Sequence, residues 1–268
     1  MVRAMAISAV PFPLSLVVLL MSLPHWASAA ACGDELPQGR VACGCGDTVV
    51  TDTRLVATDP AVSSACPIDG LIVRAGELAS SIRLDLGGHT IRGSGIGAGL
   101  RVVYGGSDGA VIAGGTSGAR GSIAGFGTGL RADAGNRIAR ISHLELRDNR
   151  FEGARMRIAG TVIEDVVASG NHGDGLYLRG TGGRLVDVRS EENGQNGLRL
   201  FTRGMAVDAV ALRNKRSGII VDGADNDLAD ASARDNGRDG LLVRGSCARE
   251  VQSQNSDRIR VHAREVSR

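Results

Sequence analysis

Arginine and aromatic residues recur at matching positions of a repeated segment in the second half of the chain. Six or eight residues after a recurring asparagine stand five arginines and two aromatic residues: Arg155, Arg157, Tyr177, Arg179, Arg199, Phe201 and Arg244. A guanidinium binds a carboxylate through two parallel hydrogen bonds, and an aromatic ring offers an apolar face to a sugar. These seven residues are therefore candidates for binding an acidic glycan.

The same pattern has a second interpretation that needs no ligand. Neighbouring strands place like positions side by side, so arginines and carboxylates can pair across strands on a solvated face. A partly acidic column, three residues after each asparagine, would flank the arginines on the outer surface: Glu152, Asp174, Asn196, Ser217 and Asp239. The sequence leaves both a binding groove and a paired, solvated face open.

Three residues near this column have the types needed for lyase or epimerase chemistry on uronates. That chemistry needs a base that takes the proton next to the carboxylate, and a cation that neutralises the carboxylate. His172 and Asp174 are candidates for the acid–base work and Arg179 for the cation. They belong to no recognised catalytic signature, so the catalytic residues stay unassigned. No metal site is predicted, and Ca²⁺ is expected as a cofactor only if the chain is a lyase.

A repeat of about 22 residues carries all of these positions. Its unit is Asn-x3-Gly followed by an apolar residue, with spacings of 22, 22, 21 and 22 between the asparagines Asn149, Asn171, Asn193, Asn214 and Asn236. A degenerate copy begins at Asn255, with Ile259 in the position of the glycine. Such near-constant spacing indicates a solenoid.

The segments between the asparagines predict strands. A leucine-rich repeat is the competing interpretation, because ISHLELRDN fits its frame, but it needs a helix or a long turn after each asparagine. Instead, short alternating segments follow, such as GLYLRG and GIIVDG. The inward positions are nearly all aliphatic, and no proline follows residue 67, as a sheet with neighbours on both sides requires. Stacked asparagines would hydrogen-bond along the axis.

The chain resembles the right-handed parallel β-helix (pectate-lyase-like) proteins, in particular secreted bacterial members with short parallel β-helix repeats. The resemblance rests on the repeat and on CGDTVVTDTRL…ACPIDGLIVRAG…IRLDLGGHTIRGSG, residues 45–95. It implies an all-β, right-handed parallel β-helix solenoid of about 22-residue rungs. It implies no single activity, because the fold hosts lyases, hydrolases, epimerases, adhesins and accessory proteins.

The first 31 residues predict a secretory signal peptide. A basic start with Arg3, an apolar stretch and the small residues Ala27, Ser28 and Ala29 have the layout of a signal with its cleavage site. The apolar run is about half of the roughly 20 residues that span a bilayer, so no membrane span is expected. Cys32 follows directly, but Ala29 stands where lipoprotein sites prefer Leu. The mature chain is expected to be secreted, periplasmic or at the cell surface.

Four cysteines cluster after the signal, at Cys32, Cys43, Cys45 and Cys66. In an exported chain they predict a disulfide-clamped N-terminal cap, residues 32–68, followed by β-helix repeats over 69–268. Cys43 and Cys45 are too close to bond each other readily, which leaves 32–43 with 45–66, the favoured pairing, or 32–45 with 43–66. A four-thiolate zinc site is the alternative, although the spacing lacks paired C-x2-C motifs.

Composition excludes several other classes. With 43% hydrophobic residues and a net charge of +2, the chain is neither disordered nor a nucleic-acid-binding protein. No GK[ST] motif supports a phosphate loop. The sequence therefore predicts a non-catalytic protein that binds an extended acidic polysaccharide or a surface partner on one sheet face. A polysaccharide lyase or epimerase acting on uronates is the alternative. The sequence predicts no oligomeric state.

Overall fold

The computed structural model describes residues 31–76, 79–115, 118–133, 135–249 and 259–262. The first strands are β1 (Glu35–Leu36), β2 (Gly39–Arg40), β3 (Thr48–Val49), β4 (Thr53–Arg54), β5 (Ala65–Cys66), β6 (Leu71–Arg74), β7 (Ser81–Asp85), β8 (Thr90–Gly93), β9 (Ala98–Tyr104), β10 (Gly109–Ala113) and β11 (Gly121–Ala124). They are followed by β12 (Thr128–Ala132), β13 (Ile138–Arg147), β14 (Ala154–Ala159), β15 (Val162–Ser169), β16 (Leu176–Thr181), β17 (Arg184–Glu191), β18 (Leu198–Arg203), β19 (Ala206–Leu212), β20 (Ile219–Arg234), β21 (Leu241–Arg249) and β22 (Ile259–His262). One short helix, α1 (Pro60–Ser63), lies between β4 and β5, and no helix in the described ranges has the length and hydropathy to cross a membrane.

β1 and β2 form a small antiparallel pair, whereas the strands from β3 onward pair in parallel with strands of neighbouring coils and so form three faces. Face 1 consists of β3, β6, β9, β12, β14, β16, β18, the start of β20, β21 and β22. Face 2 begins with β4, β7 and β10, and face 3 with β5, β8 and β11. From β13 to β20 the alternate strands β13, β15, β17 and β19 each continue from face 2 into face 3. The predicted all-β parallel β-helix is confirmed.

Three of the strands that pass from face 2 to face 3, β13, β15 and β17, bend at one residue with left-handed backbone. His143, Asp165 and Asp187 occupy this position in three successive coils, with φ of 52°, 48° and 51°. Short polar side chains tolerate this conformation better than β-branched or bulky ones. In these three coils the left-handed position is therefore occupied by a polar residue and not by glycine.

The interior is filled by stacks of aliphatic side chains. The ten positions five and seven residues after each asparagine, predicted to face inward, are all buried, at Ala154, Met156, Leu176, Leu178, Leu198, Leu200, Ile219, Val221, Leu241 and Val243. Phe126 is an aromatic exception that sequence reasoning missed. A Cβ atom at Gly93 would come within 2.4 Å of its ring, so the absence of a side chain at Gly93 makes room for it.

The recurring asparagines form a buried ladder along the axis. Each Nδ2 donates to the Oδ1 of the next asparagine at 2.9–3.0 Å, from Asn149 through Asn171, Asn193 and Asn214 to Asn236. The same Oδ1 atoms also accept the backbone N–H of the preceding asparagine. The predicted stacking is confirmed, and it satisfies backbone donors at the turn into face 1.

The last described coil differs from the predicted repeat by one residue. β22 pairs Ile259 with Leu241, whereas the repeat placed Ile259 at the level of the glycine. Asn255 stands four residues before Ile259 in the sequence, whereas Asn236 stands five residues before Leu241, the residue that pairs with Ile259. The prediction that Ile259 takes the position of the glycine is therefore wrong by one residue.

The cap is joined by two disulfides and one buried ion pair. The bonds are Cys32–Cys43 and Cys45–Cys66, which confirms the favoured pairing and leaves no thiolates there for zinc. Arg40 donates to both carboxylate oxygens of Asp59, at 2.7 and 2.9 Å, and Asp59 is fully buried. Because β3, β4 and β5 also pair with β6, β7 and β8, the cap continues directly into the coils.

The outer surfaces of faces 2 and 3 carry closely paired charges. Five arginines there each have a carboxylate partner: Arg120, Arg140, Arg147, Arg189 and Arg213. Asp165 is held by both Arg120 and His143. Partial burial alone would raise the pKa of the Asp165 carboxyl, but hydrogen bonds from Arg120 and His143 outweigh that effect and lower the pKa.

We expect Asp165→Asn to lower the melting temperature by about 2 °C at pH 7, because asparagine keeps the left-handed bend but loses the charge. The ordinary pKa of the Asp165 carboxyl is 3.8, and its pKa in the folded protein is lower. The ionised carboxylate therefore stabilises the fold fully at pH values above 3.8, and this stabilisation is lost as the pH falls through the lowered pKa. Calorimetry should therefore find that the difference between the two proteins is constant well above pH 3.8 and shrinks as the pH falls below it. Asp187→Asn, one coil further, is the control without an ion pair. A difference between Asp165→Asn and the parent that is independent of pH would contradict this assignment.

Candidate functional site

All seven candidate glycan-binding residues lie on the outer surface of face 1. The register aligns Arg155, Tyr177 and Arg199 on β14, β16 and β18, and it aligns Arg157, Arg179 and Phe201 on the same three strands. Arg244 lies two coils further along, on β21. Residues separated by about 22 positions in sequence are thus neighbours across strands, about 4.8 Å apart.

The central part of this surface is a continuous stack of guanidinium groups and rings. The Arg155 guanidinium lies 5.2 Å from the Tyr177 ring centroid, and that of Arg199 lies 5.6 Å from the same ring. Arg199 is also 5.2 Å from the Phe201 centroid, and the two rings are 5.6 Å apart. Arg179 completes the stack at 5.6 Å from Phe201. Each such contact is worth roughly 0.5–1 kcal/mol at an exposed site.

The stack changes the role expected for the two aromatic residues. Arg155 and Arg199 come from the coils before and after Tyr177, so the ring lies between two guanidinium groups. Rings held in this way present mainly their edges to solvent, while the guanidinium groups keep free N–H donors. The arrangement therefore favours ligand contact through the arginines, with the rings restricting the arginine side chains.

Several arginines of face 1 are exposed and have no close carboxylate partner. In the described part of the chain, Arg101, Arg157, Arg179 and Arg244 have no carboxylate within 4.0 Å. Arg155 and Arg199 have only long contacts, at 3.5 Å to Glu152 and 3.9 Å to Asp174.

Unpaired arginines are not confined to face 1. On faces 2 and 3 the exposed Arg83 and Arg92 also have no carboxylate within 4.0 Å among the described residues, whereas Arg131 and Arg260 on face 1 have carboxylates at 3.0 Å. What distinguishes face 1 is the run of adjacent arginines and rings on β14, β16 and β18.

An open cleft of about 790 Å³ lies beside the unpaired arginines. Arg157, Arg179 and Phe201 form part of its wall, and Arg137, in the connection before β13, forms another part. Gly180 also borders the cleft and has φ of 139°; a Cβ atom there would come within 2.0 Å of the Ile158 carbonyl oxygen. The cleft is large enough for several sugar rings and carries three arginines.

The partly acidic column lies beside face 1, where Glu152, Asp174 and Asp239 contact arginines, but most of it is buried and not on the outer surface as predicted. Asp174, Asn196, Ser217 and Asp239 are buried, with 3–8% exposure. The Asp174 Oδ1 accepts hydrogen bonds from the backbone N–H and the Nδ2 of Asn196, at 2.9 and 2.8 Å. Asn196 in turn accepts the backbone N–H of Ser217 at 3.1 Å. Asp174, Asn196 and Ser217 thus make a second ladder at the turn, in which Asp174 and Asn196 each accept a backbone N–H from the next coil.

The three candidate catalytic residues have different environments. His172 is exposed in the turn before β16, and its backbone N–H donates to Asn149. Asp174 is buried in the second ladder, whereas Arg179 is exposed at the cleft and contacts Phe201. No hydrogen bond or ion pair joins any two of them in the described part of the chain. Among the described residues no group of three or more His, Cys, Asp or Glu is arranged to hold a metal ion.

Comparison of the chain with family models, with curated proteins and with solved structures finds no match in any of the three. The resemblance to pectate-lyase-like proteins therefore stays a prediction about the family.

Two further arginines of face 1 were missed by sequence reasoning. Arg216 and Arg238 stand two residues after Asn214 and Asn236, a position that holds Phe151, Gly173 and Gln195 in the earlier copies. Both are exposed at the turn into face 1. Comparing this position across all five copies would have revealed the change to arginine in the last two.

Proposed function

We propose that this is a secreted, non-catalytic protein that binds an extended acidic polysaccharide along face 1. The observation that carries the proposal is the run of neighbouring arginines and rings on β14, β16 and β18 of face 1, in which Arg157 and Arg179 have no carboxylate within 4.0 Å among the described residues. Two disulfides support export through the predicted signal peptide, since such bonds persist in oxidising compartments.

A regular polymer suits this surface better than a single small anion. The coils repeat every 4.8 Å or so, so guanidinium groups recur along the axis at short, regular intervals. A polymer with one carboxylate on every sugar can contact several of them together. One exposed ion pair contributes little, about 0–1 kcal/mol, but several contacts on one polymer act as linked binding events.

Retention on immobilised polygalacturonate and alginate tests this proposal. We expect the mature chain to be retained in about 20 mM salt and to elute well below about 1 M. The Debye length falls to about 3 Å at 1 M salt, so attraction between exposed charges is then almost fully screened. A column of a neutral polysaccharide is the control. Passage through both acidic columns without delay at low salt would refute the proposal.

Polyuronate lyase or epimerase activity is the alternative. One observation favours it, namely the Asp174 carboxylate 3.9 Å from the Arg199 guanidinium on face 1. Against it, Asp174 is 4% exposed and its Oδ1 is occupied by Asn196. Incubation with pectate and alginate, with and without Ca²⁺, would reveal a lyase by the ultraviolet absorbance of unsaturated products. NMR of the treated polymer would reveal an epimerase, and either signal, lost in Asp174→Ala, would overturn the non-catalytic assignment.

A further inference from the structure

A second pocket, of about 320 Å³, lies toward the C-terminal end of face 1. Its floor is apolar and consists of Phe201, Ile220 and Leu242, which come from three successive coils. We call it the C-terminal pocket. Two of the floor positions continue the outward column that holds Arg155, Tyr177 and Arg199 in earlier coils. In the same column Arg101, Arg131 and Arg155 stand in earlier coils and Arg260 follows Leu242, so the two adjacent aliphatic residues interrupt a mainly cationic column.

Leu242 shows that this floor is enclosed. Its neighbours Leu241 and Val243 point into the core, so alternation along β21 directs Leu242 outward. Leu242 is nevertheless only 8% exposed, and it is not a member of the central core cluster. The side chains around the pocket must therefore cover it from outside. The site is a walled depression with an apolar floor.

The rim of the C-terminal pocket is strongly cationic. Five arginines line it, Arg199, Arg216, Arg238, Arg244 and Arg260, against one carboxylate, Asp239. That carboxylate is already bound by Arg260 at 3.0 Å. Arg216, Arg238 and Arg244 have no carboxylate within 4.0 Å in the part of the chain that the structure describes. Like charges around a low-dielectric depression repel each other and together attract an anion.

We propose that the C-terminal pocket binds a compact carboxylate with an apolar body, such as a small aromatic acid. The apolar body would contact Phe201, Ile220 and Leu242, and the carboxylate would take N–H donors from Arg216 and Arg238 at the rim. The volume is at the lower end of the range for small-molecule pockets, which suits one ring and its carboxylate better than a polymer. The pocket shares Arg199, Phe201 and Arg244 with the proposed polysaccharide surface, but the carboxylate is assigned to Arg216 and Arg238, which are not among the seven polysaccharide candidates, so binding here can be tested separately.

Methyl NMR of the full mature chain tests the proposal directly. Isoleucine δ1 methyl groups are labelled with ¹³C, and the Ile220 signal is identified by its loss in Ile220→Val. Benzoate should shift the Ile220 signal in a saturable manner, whereas benzamide, which lacks the charge, and acetate, which lacks the apolar body, should not. Equal shifts with benzoate and benzamide, or none with benzoate, would overturn the proposal. So would a shift with polygalacturonate in the absence of any with benzoate.

A pair of substitutions then assigns the rim. Arg216→Gln with Arg238→Gln should weaken benzoate binding by at least about tenfold, because two charged donors are lost. Arg83→Gln with Arg92→Gln, exposed on faces 2 and 3, is the matched control and should bind benzoate as the parent does. The other isoleucine signals report whether each variant keeps its fold. Unchanged affinity in the folded Arg216/Arg238 variant would contradict the assignment of the carboxylate to this rim.

Discussion

Replacement of Asn193 by alanine is expected to lower the free energy of unfolding by about 3 kcal/mol. Asn193 is fully buried in the middle of the ladder, and its Oδ1 accepts both the backbone N–H and the Nδ2 of Asn171, at 3.1 and 3.0 Å. Its Nδ2 donates to Ala168 and Asn214. Alanine would leave two buried donors on Asn171 without acceptors, and each such loss is costly.

Chemical denaturation followed by circular dichroism measures this loss. Asn136→Ala, in the loop before β13, is the control, because that residue is partly exposed and takes no part in the ladder; we expect its effect to be within about 0.5 kcal/mol. If the two substitutions cost the same, the ladder would not be the source of stability that its buried hydrogen bonds indicate.

Reversal of two charges on face 1 should abolish retention on a polyuronate column. In Arg179→Glu with Arg199→Glu, two of the guanidinium groups in the central stack become carboxylates, which repel the acidic polymer. We expect at least about a tenfold loss of affinity at low salt, since like charges placed face to face oppose binding as well as removing contacts.

Arg83→Glu with Arg92→Glu changes the net charge by the same amount but places the reversed charges on faces 2 and 3. This control should still be retained. If both double variants lost retention equally, the binding would reflect overall charge, and face 1 would have no special role. If neither lost it, the polymer would bind elsewhere.

The fold could be predicted in detail because the repeat places the same physical requirement in every coil. Asn149 and its equivalents predicted the turn before face 1, and the aliphatic pairs such as Leu176 and Leu178 predicted the buried core. The short distance between Cys43 and Cys45 along the chain excluded a bond between them and left two pairings, of which the structure has the favoured one. These features depend on local spacing, which the sequence records directly.

The candidate site was less accessible to sequence reasoning, because it depends on what each side chain meets in three dimensions. Asp174 and Asp239 were expected on the outer surface. Both are buried at the turn, where the Asp174 carboxylate accepts the backbone N–H of Asn196 in the next coil. Likewise, the aromatic residue Tyr177 was expected to present its face to a sugar. Its position between Arg155 and Arg199 arises only when the coils stack.

Binding of the mature chain to polygalacturonate, compared with fully methyl-esterified polygalacturonate of the same length, tests the central claim most directly. Esterification removes the carboxylate charge and leaves the sugar backbone unchanged. Titration calorimetry at low salt should detect binding of the acidic polymer and none of the ester, because the exposed arginines of face 1 recognise charge. Equal binding of both polymers, or binding of neither, would contradict the assignment of face 1 as a surface for acidic polysaccharide.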